Sequence, residues 1–133
     1  MTAVLVIGAT GQVGRLVVEE ALGRGLSVRA QSRDAGRARR SLPSEVEVVE
    51  ADPGSAEALR PLVQGIDVVV LTHGGDVDGR GGVSFYETVL AVLEALEAGT
   101  HVSLMTAMNT SRSAGRSRYG FVEWKRRAER LVR

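Results

Sequence analysis

The sequence predicts an α/β fold: one doubly wound parallel sheet of about five strands, with helices on both faces. Three observations lead there. Five short apolar runs recur along the chain, as strands buried on both faces do. Longer stretches with apolar residues three to five apart separate them, as amphipathic helices do. The 133 residues suit a single domain. Strands alternating with helices imply a parallel sheet, and right-handed crossovers restrict its order. Order 3-2-1-4-5 is expected. It places a binding crevice outside the carboxyl ends of strands 1 and 4, where the order reverses.

Each element has its own signal. Residues 3–7 (AVLVI) form a continuous apolar strand. Residues 12–24 follow as a helix, with Val13, Leu16, Val17 and Leu22 on its apolar stripe, and Gly23 and Gly25 ending it. Residues 26–31 read as strand 2. Residues 34–40 make a short, very basic helix, capped by Asp34 or Ser32. Residues 46–50 are strand 3, with Val46 and Val48 on one face. Ser55 can cap a helix through Ala58, Leu59, Leu62 and Val63. Residues 67–71 (DVVVL) are strand 4. Residues 74–82 hold five glycines in nine positions and read as a loop. Residues 85–98 carry Val89, Leu90, Leu93 and Leu96 on the buried side of a helix. Residues 102–105 are strand 5, residues 107–118 a Gly/Ser/Arg-rich loop, and residues 121–132 a last helix. No solenoid-like repeat or linker divides the chain.

Composition narrows the function. The chain is 44% apolar and 25% charged, as ordinary globular proteins are. A net charge of +1 speaks against a dedicated nucleic-acid binder. With no cysteine there is no disulfide, thiol nucleophile or thiolate metal site. The two histidines and scattered carboxylates never fall at metal-ligand spacing. No apolar run reaches the roughly 18 residues of a membrane span. Met1 leads into a strand without a basic leader, so a cytoplasmic protein is expected. Of 17 basic residues 16 are Arg; Lys125 is the one Lys.

The chemistry is concentrated after strand 1, in Gly8-Ala9-Thr10-Gly11-Gln12-Val13-Gly14. Gly8 permits a tight exit from the strand, Gly11 lets a pyrophosphate approach the backbone, and Gly14 lets the helix pack closely. The amides and positive dipole at the helix start favour phosphate. Between a buried strand and a helix, this turn points to a dinucleotide held by Gly8, Thr10, Gly11, Gln12, Val13 and Gly14. A ribose selector is expected about 20 residues further on. Ser32-Arg33-Asp34 stands there after strand 2. Arg33 offers a fork for the 2′-phosphate of NADP. Asp34 could select NAD but is better placed as a helix cap. Asp52, after strand 3, can accept from the adenine amino group or form a turn before Pro53. Thr72-His73-Gly74 ends strand 4 with small residues that let a cofactor pass. His73 reads more naturally as a loop histidine than a catalytic one.

These residues resemble the extended and atypical short-chain dehydrogenase/reductases, and among them the NmrA-like and flavin-reductase-like NAD(P)-binding proteins. The similarity rests on Gly8 to Gly14, Ser32-Arg33-Asp34 and Glu50-Ala51-Asp52. Leu104-Met105-Thr106 and the segment from Trp124 to Leu131 extend it over nearly the whole chain. The resemblance implies a Rossmann-type domain, an NADP cofactor with NAD as the alternative, and a small-molecule substrate or a regulatory protein partner. Active members pair a Tyr with a Lys four residues later and place a Ser or Thr at the end of strand 5. Lys125 matches the Lys and Thr106 the Ser/Thr. Phe121 stands where the Tyr belongs, and Phe cannot transfer a proton. Tyr119, six residues before Lys125, lies about 240° around the helix. The resemblance also implies substrate-binding segments after the last helix, so the chain is expected to be the coenzyme half of a longer protein. A homodimer is left open, since Val89, Leu93 and Leu96 suit either an interface or the core.

Overall fold

The computed structural model describes residues 1–73, 81–105 and 127–132, the side chains of 81–84 excepted. The elements are β1 (Ala3–Ile7), α1 (Gln12–Gly23), β2 (Ser27–Ser32), α2 (Ala35–Ser41), β3 (Glu47–Glu50), α3 (Ala56–Val63), β4 (Val68–Leu71), α4 (Gly81–Ala95) and β5 (His101–Leu104). All strand pairs are parallel, in the order β3-β2-β1-β4-β5. This is the expected doubly wound sheet, with its reversal between β1 and β4. Residues 127–132 are helical, the end of the expected last helix.

β1 is central, so both of its faces are covered: Val4, Leu5, Val6 and Ile7 are all buried. Its alternation sorts the core into two layers. Val4 and Val6 pack with Val18 and Ala21 of α1, Val28 and Ala30 of β2, and Ala38 of α2. Leu5 and Ile7 pack on the other face with Leu59 and Leu62 of α3, Val69 and Leu71 of β4, and Val92 of α4. Ala128 joins Phe85 and Val89, docking the 127–132 segment on α4.

Every described element but β1 and α3 differs from its expected range at one end or both, mostly by one residue, and three of the differences have a hydrogen-bonding or backbone reason. Leu26 is not in β2. Its amide donates to Ala21 O and that of Gly25 to Leu22 O, with Gly25 at φ +74°. This is the glycine-terminated helix end in which two amides satisfy the last carbonyls. His101 enters β5 because its amide donates to Asp67 O at 2.9 Å. α4 starts at Gly81 and ends at Ala95 rather than running over 85–98. Its first residues are helical glycines without an apolar pattern to betray them, and helix propensity is a weak prior there. The buried residues of α4 include Phe85, Thr88, Val89 and Val92, while Leu90, Leu93 and Leu96 are half-buried. On α1, Val18 and Ala21 face the sheet. Val13 and Leu16 are instead 43% and 64% exposed, beside a depression of about 690 Å³ that Val17, Val68 and Val70 also line.

Candidate functional site

The crevice between the ends of β1 and β4 is built from the backbone outward. Gly8 leaves β1 at φ +83°, a conformation that suits glycine. The Gly11 amide then donates to Gly8 O at 3.1 Å, closing the turn, and α1 begins. β4 arrives alongside. The Thr72 amide and Oγ1 donate to Ile7 O at 3.0 and 2.9 Å, and Oγ1 lies 3.3 Å from Gly8 O. Thr72 is buried, so its hydroxyl secures the turn. His73 passes so close that a Cβ on Gly8 would lie 2.8 Å from the His73 amide nitrogen. The His73 ring stacks on Phe85, centroids 4.7 Å apart, with Nε2 3.3 Å from Phe85 O.

The three glycines divide their tasks. A Cβ on Gly14 would collide with Gly8 O and lie 2.8 Å from Ala9 Cα, so Gly14 lets the helix sit directly on the turn. Among the described residues, a Cβ on Gly11 would meet one atom, Gly8 O, at 3.4 Å, an ordinary contact. Gly11 has φ −73° and ψ 172°, extended backbone open to any residue. Gly8 and Gly14 are thus required by the protein itself, whereas no other described residue crowds the space at Gly11. Gly11 also heads α1, and among the described residues no side chain caps the amides of Gln12, Val13 and Gly14. Arg15 braces the turn from behind, its Nε donating to Thr10 O at 3.1 Å.

A second cluster forms where β2 and β3 end. Ser32 Oγ donates to Asp34 O at 2.9 Å and receives the Asp34 amide at 3.1 Å. Asp34 Oδ1 accepts from the Arg37 amide at 3.0 Å, making it the α2 cap. Glu50 Oε2 accepts from the Ala35 amide at 3.2 Å. Asp52 Oδ1 accepts from the Gly54 amide at 2.9 Å, the turn before the next helix. Arg33 is exposed. With Glu50, Ala51 and Asp52 it lines an open depression of about 550 Å³.

Gly8, Thr10, Gly11, Gln12, Val13, Gly14, Thr72 and His73 therefore meet at the crevice, and Ser32, Arg33 and Asp52 at the adjoining strand ends. Gly74, Thr106, Phe121 and Lys125 lie outside the described residues, as do Tyr119, the 107–118 loop and the first part of the last helix. Sequence reasoning gave no role to Gln31 or, beyond its place in the motif, to Glu50. Gln31 is buried and its Nε2 donates to Ala51 O at 2.8 Å, tying β2 to the end of β3. A Gln in an otherwise small and apolar strand end was the available signal. Among the described residues, no three His, Asp or Glu gather to hold a metal, and no helix is long and apolar enough to cross a membrane.

Solved structures share this architecture. A protein from Lactobacillus casei aligns at a TM-score of 0.68 and 26% identity, over 79% of this chain and 48% of its own. The oxidoreductase ylbE from Lactococcus lactis aligns at 0.79 and 15%, over 98% and 63%. The UDP-glucose 4-epimerase of Thermus thermophilus, solved with NAD, aligns at 0.77 and 21%, over 98% and 50%. The chain thus spans between about half and under two thirds of these structures. No protein among the curated ones matches the sequence. The NAD(P)H-binding family model matches residues 8–133, starting at the first glycine of the turn. With that turn at the switch point of a 3-2-1-4-5 sheet, the chain belongs to the NAD(P)H-binding family, in keeping with the atypical short-chain dehydrogenase/reductases that its motifs resemble.

Proposed function

We propose that the chain is the coenzyme-binding part of an NADP(H)-dependent oxidoreductase of the atypical short-chain type. The observation that carries this reading is the start of α1: helix amides that no side chain caps among the described residues, over a glycine turn, at the sheet's switch point. Such a terminus suits a pyrophosphate, through N–H donors and the helix dipole together. The Cβ-free space at Gly11 gives the phosphate a close approach. Arg33, with no hydrogen bond or ion pair to another described residue, suits a ribose 2′-phosphate as a planar donor fork. Lys125 and Thr106, carried over from the resemblance, hold the nicotinamide end and a small-molecule substrate. The nicotinamide itself supplies hydride transfer. The composition suits a cytoplasmic setting.

One departure favours a second reading. Phe121 replaces the proton-transferring Tyr, as suits an NmrA-like protein that binds the dinucleotide and signals redox state to a protein partner. Titration with NADPH and NADH, followed by nicotinamide fluorescence, tests the shared part. Saturable binding, tighter for NADPH, is expected, and Arg33→Ala should weaken NADPH more than NADH. Equal losses would remove Arg33 as the selector. Turnover of carbonyl substrates that Lys125→Ala abolishes supports the enzyme; tight binding without turnover supports the sensor.

A further inference from the structure

We propose that Glu50 is a second specificity-determining residue at the adenosine end, opposing Arg33 by favouring an unphosphorylated ribose. This rests on the dinucleotide reading above. Glu50 is the last residue of β3 and pairs in register with Ser32, the last of β2. Its carboxylate is held in place, because Oε2 accepts from the Ala35 amide at 3.2 Å. Glu50 lines the same open depression as Arg33.

The other acidic groups nearby are engaged differently. Asp34, at the position where a selector is expected, holds the Arg37 amide and caps α2. Asp52 holds the Gly54 amide. The Glu50 carboxylate is fixed through one oxygen, while Oε1 has no partner among the described residues. An ionised carboxylate only accepts hydrogen bonds. It therefore suits a ribose hydroxyl, which donates, and repels a phosphate dianion. The depression combines one cation that attracts a 2′-phosphate with an anchored anion that disfavours it. The selector carboxylate is thus supplied by β3, the strand paired with β2, rather than by the β2 turn where sequence reasoning looks for it. The chain takes both NADP(H) and NAD(H), and its preference is the difference between two opposed side chains.

Glu50→Gln tests this, because the amide oxygen still accepts from Ala35 while the charge is gone. NADPH and NADH are titrated against the 133-residue chain, Glu50→Gln and Arg33→Ala, with thermal melts as the folding check. With one negative charge removed beside the 2′-phosphate near a solvated surface, Glu50→Gln should tighten NADPH about threefold to tenfold. NADH should hold or weaken by about twofold, and the gain should shrink in high salt. Glu50→Ala, which frees the Ala35 amide as well, should move the NADPH/NADH ratio the same way. An unchanged ratio in folded Glu50 variants overturns the proposal while leaving the dinucleotide site standing. Failure of the unaltered chain to bind either coenzyme overturns the dinucleotide reading, and this inference with it.

Discussion

The starts of α1 and α2 lie side by side at the same end of the sheet, yet they are finished differently. α2 is closed by the protein: Asp34 takes the Arg37 amide and Glu50 the Ala35 amide. α3 is closed the same way, by Ser55 on the Ala58 amide at 3.2 Å. α1 begins at a glycine and, among the described residues, has no capping side chain. A helix start leaves four amides without intrahelical partners. Where a side chain answers them, the helix is stabilised and the site is closed to anions. Where none does, stability is forgone and donors remain for a ligand. A functional terminus can thus be told from a structural one by asking who satisfies its amides.

Substitutions can break or sharpen that contrast. The largest effect is expected at Gly14, where a Cβ collides with Gly8 O. Gly14→Ala should cost about 3 kcal/mol or more, read as a fall of about 10 °C in the thermal midpoint. A midpoint near that of the unaltered chain would show that α1 can shift off its turn. Gly11→Val comes next, and it separates binding from folding. Among the described residues, its Cβ meets only Gly8 O, at 3.4 Å. We expect coenzyme affinity to fall by about a hundredfold, while stability changes by no more than about 1 kcal/mol. Full affinity in this variant would mean that the dinucleotide does not approach Gly11.

At α2 the order of effects should reverse. Asp34→Ala should cost about 1 kcal/mol in a denaturant titration, as lost caps do, and leave coenzyme affinity within about twofold. A large loss of NADH affinity would reassign Asp34 from cap to ribose selector. The smallest effect belongs to the outer side of α1. Leu16 is 64% exposed, so Leu16→Ser should change stability by less than about 0.5 kcal/mol. A cost above about 2 kcal/mol would reveal a partner covering the depression beside it.

Much of this could be read from local pattern. The five strands followed from apolar runs, and the caps Asp34 and Ser55 from polar residues just before helical stretches. The glycine turn followed from its spacing behind a buried strand. The errors fall where local pattern stops informing. Val13 and Leu16 have helical spacing with Val17, yet both are exposed. Gly81 and Gly82 carry no side-chain signal for a helix. Leu26 suits a strand, yet its amide is taken by the end of α1.

By itself the sequence determined the element order, the sheet class and the position of the glycine turn. Those depend on periodicity and on residues a few positions apart. The tertiary structure decided which polar groups are engaged and which are left for a ligand. Thr72 Oγ1 holds a carbonyl 65 residues away, and Glu50 an amide 15 residues away. Gly8 must lack a side chain because His73 passes against it. Such pairings arise only when the sheet brings distant strand ends together, and no local pattern encodes which groups will then meet.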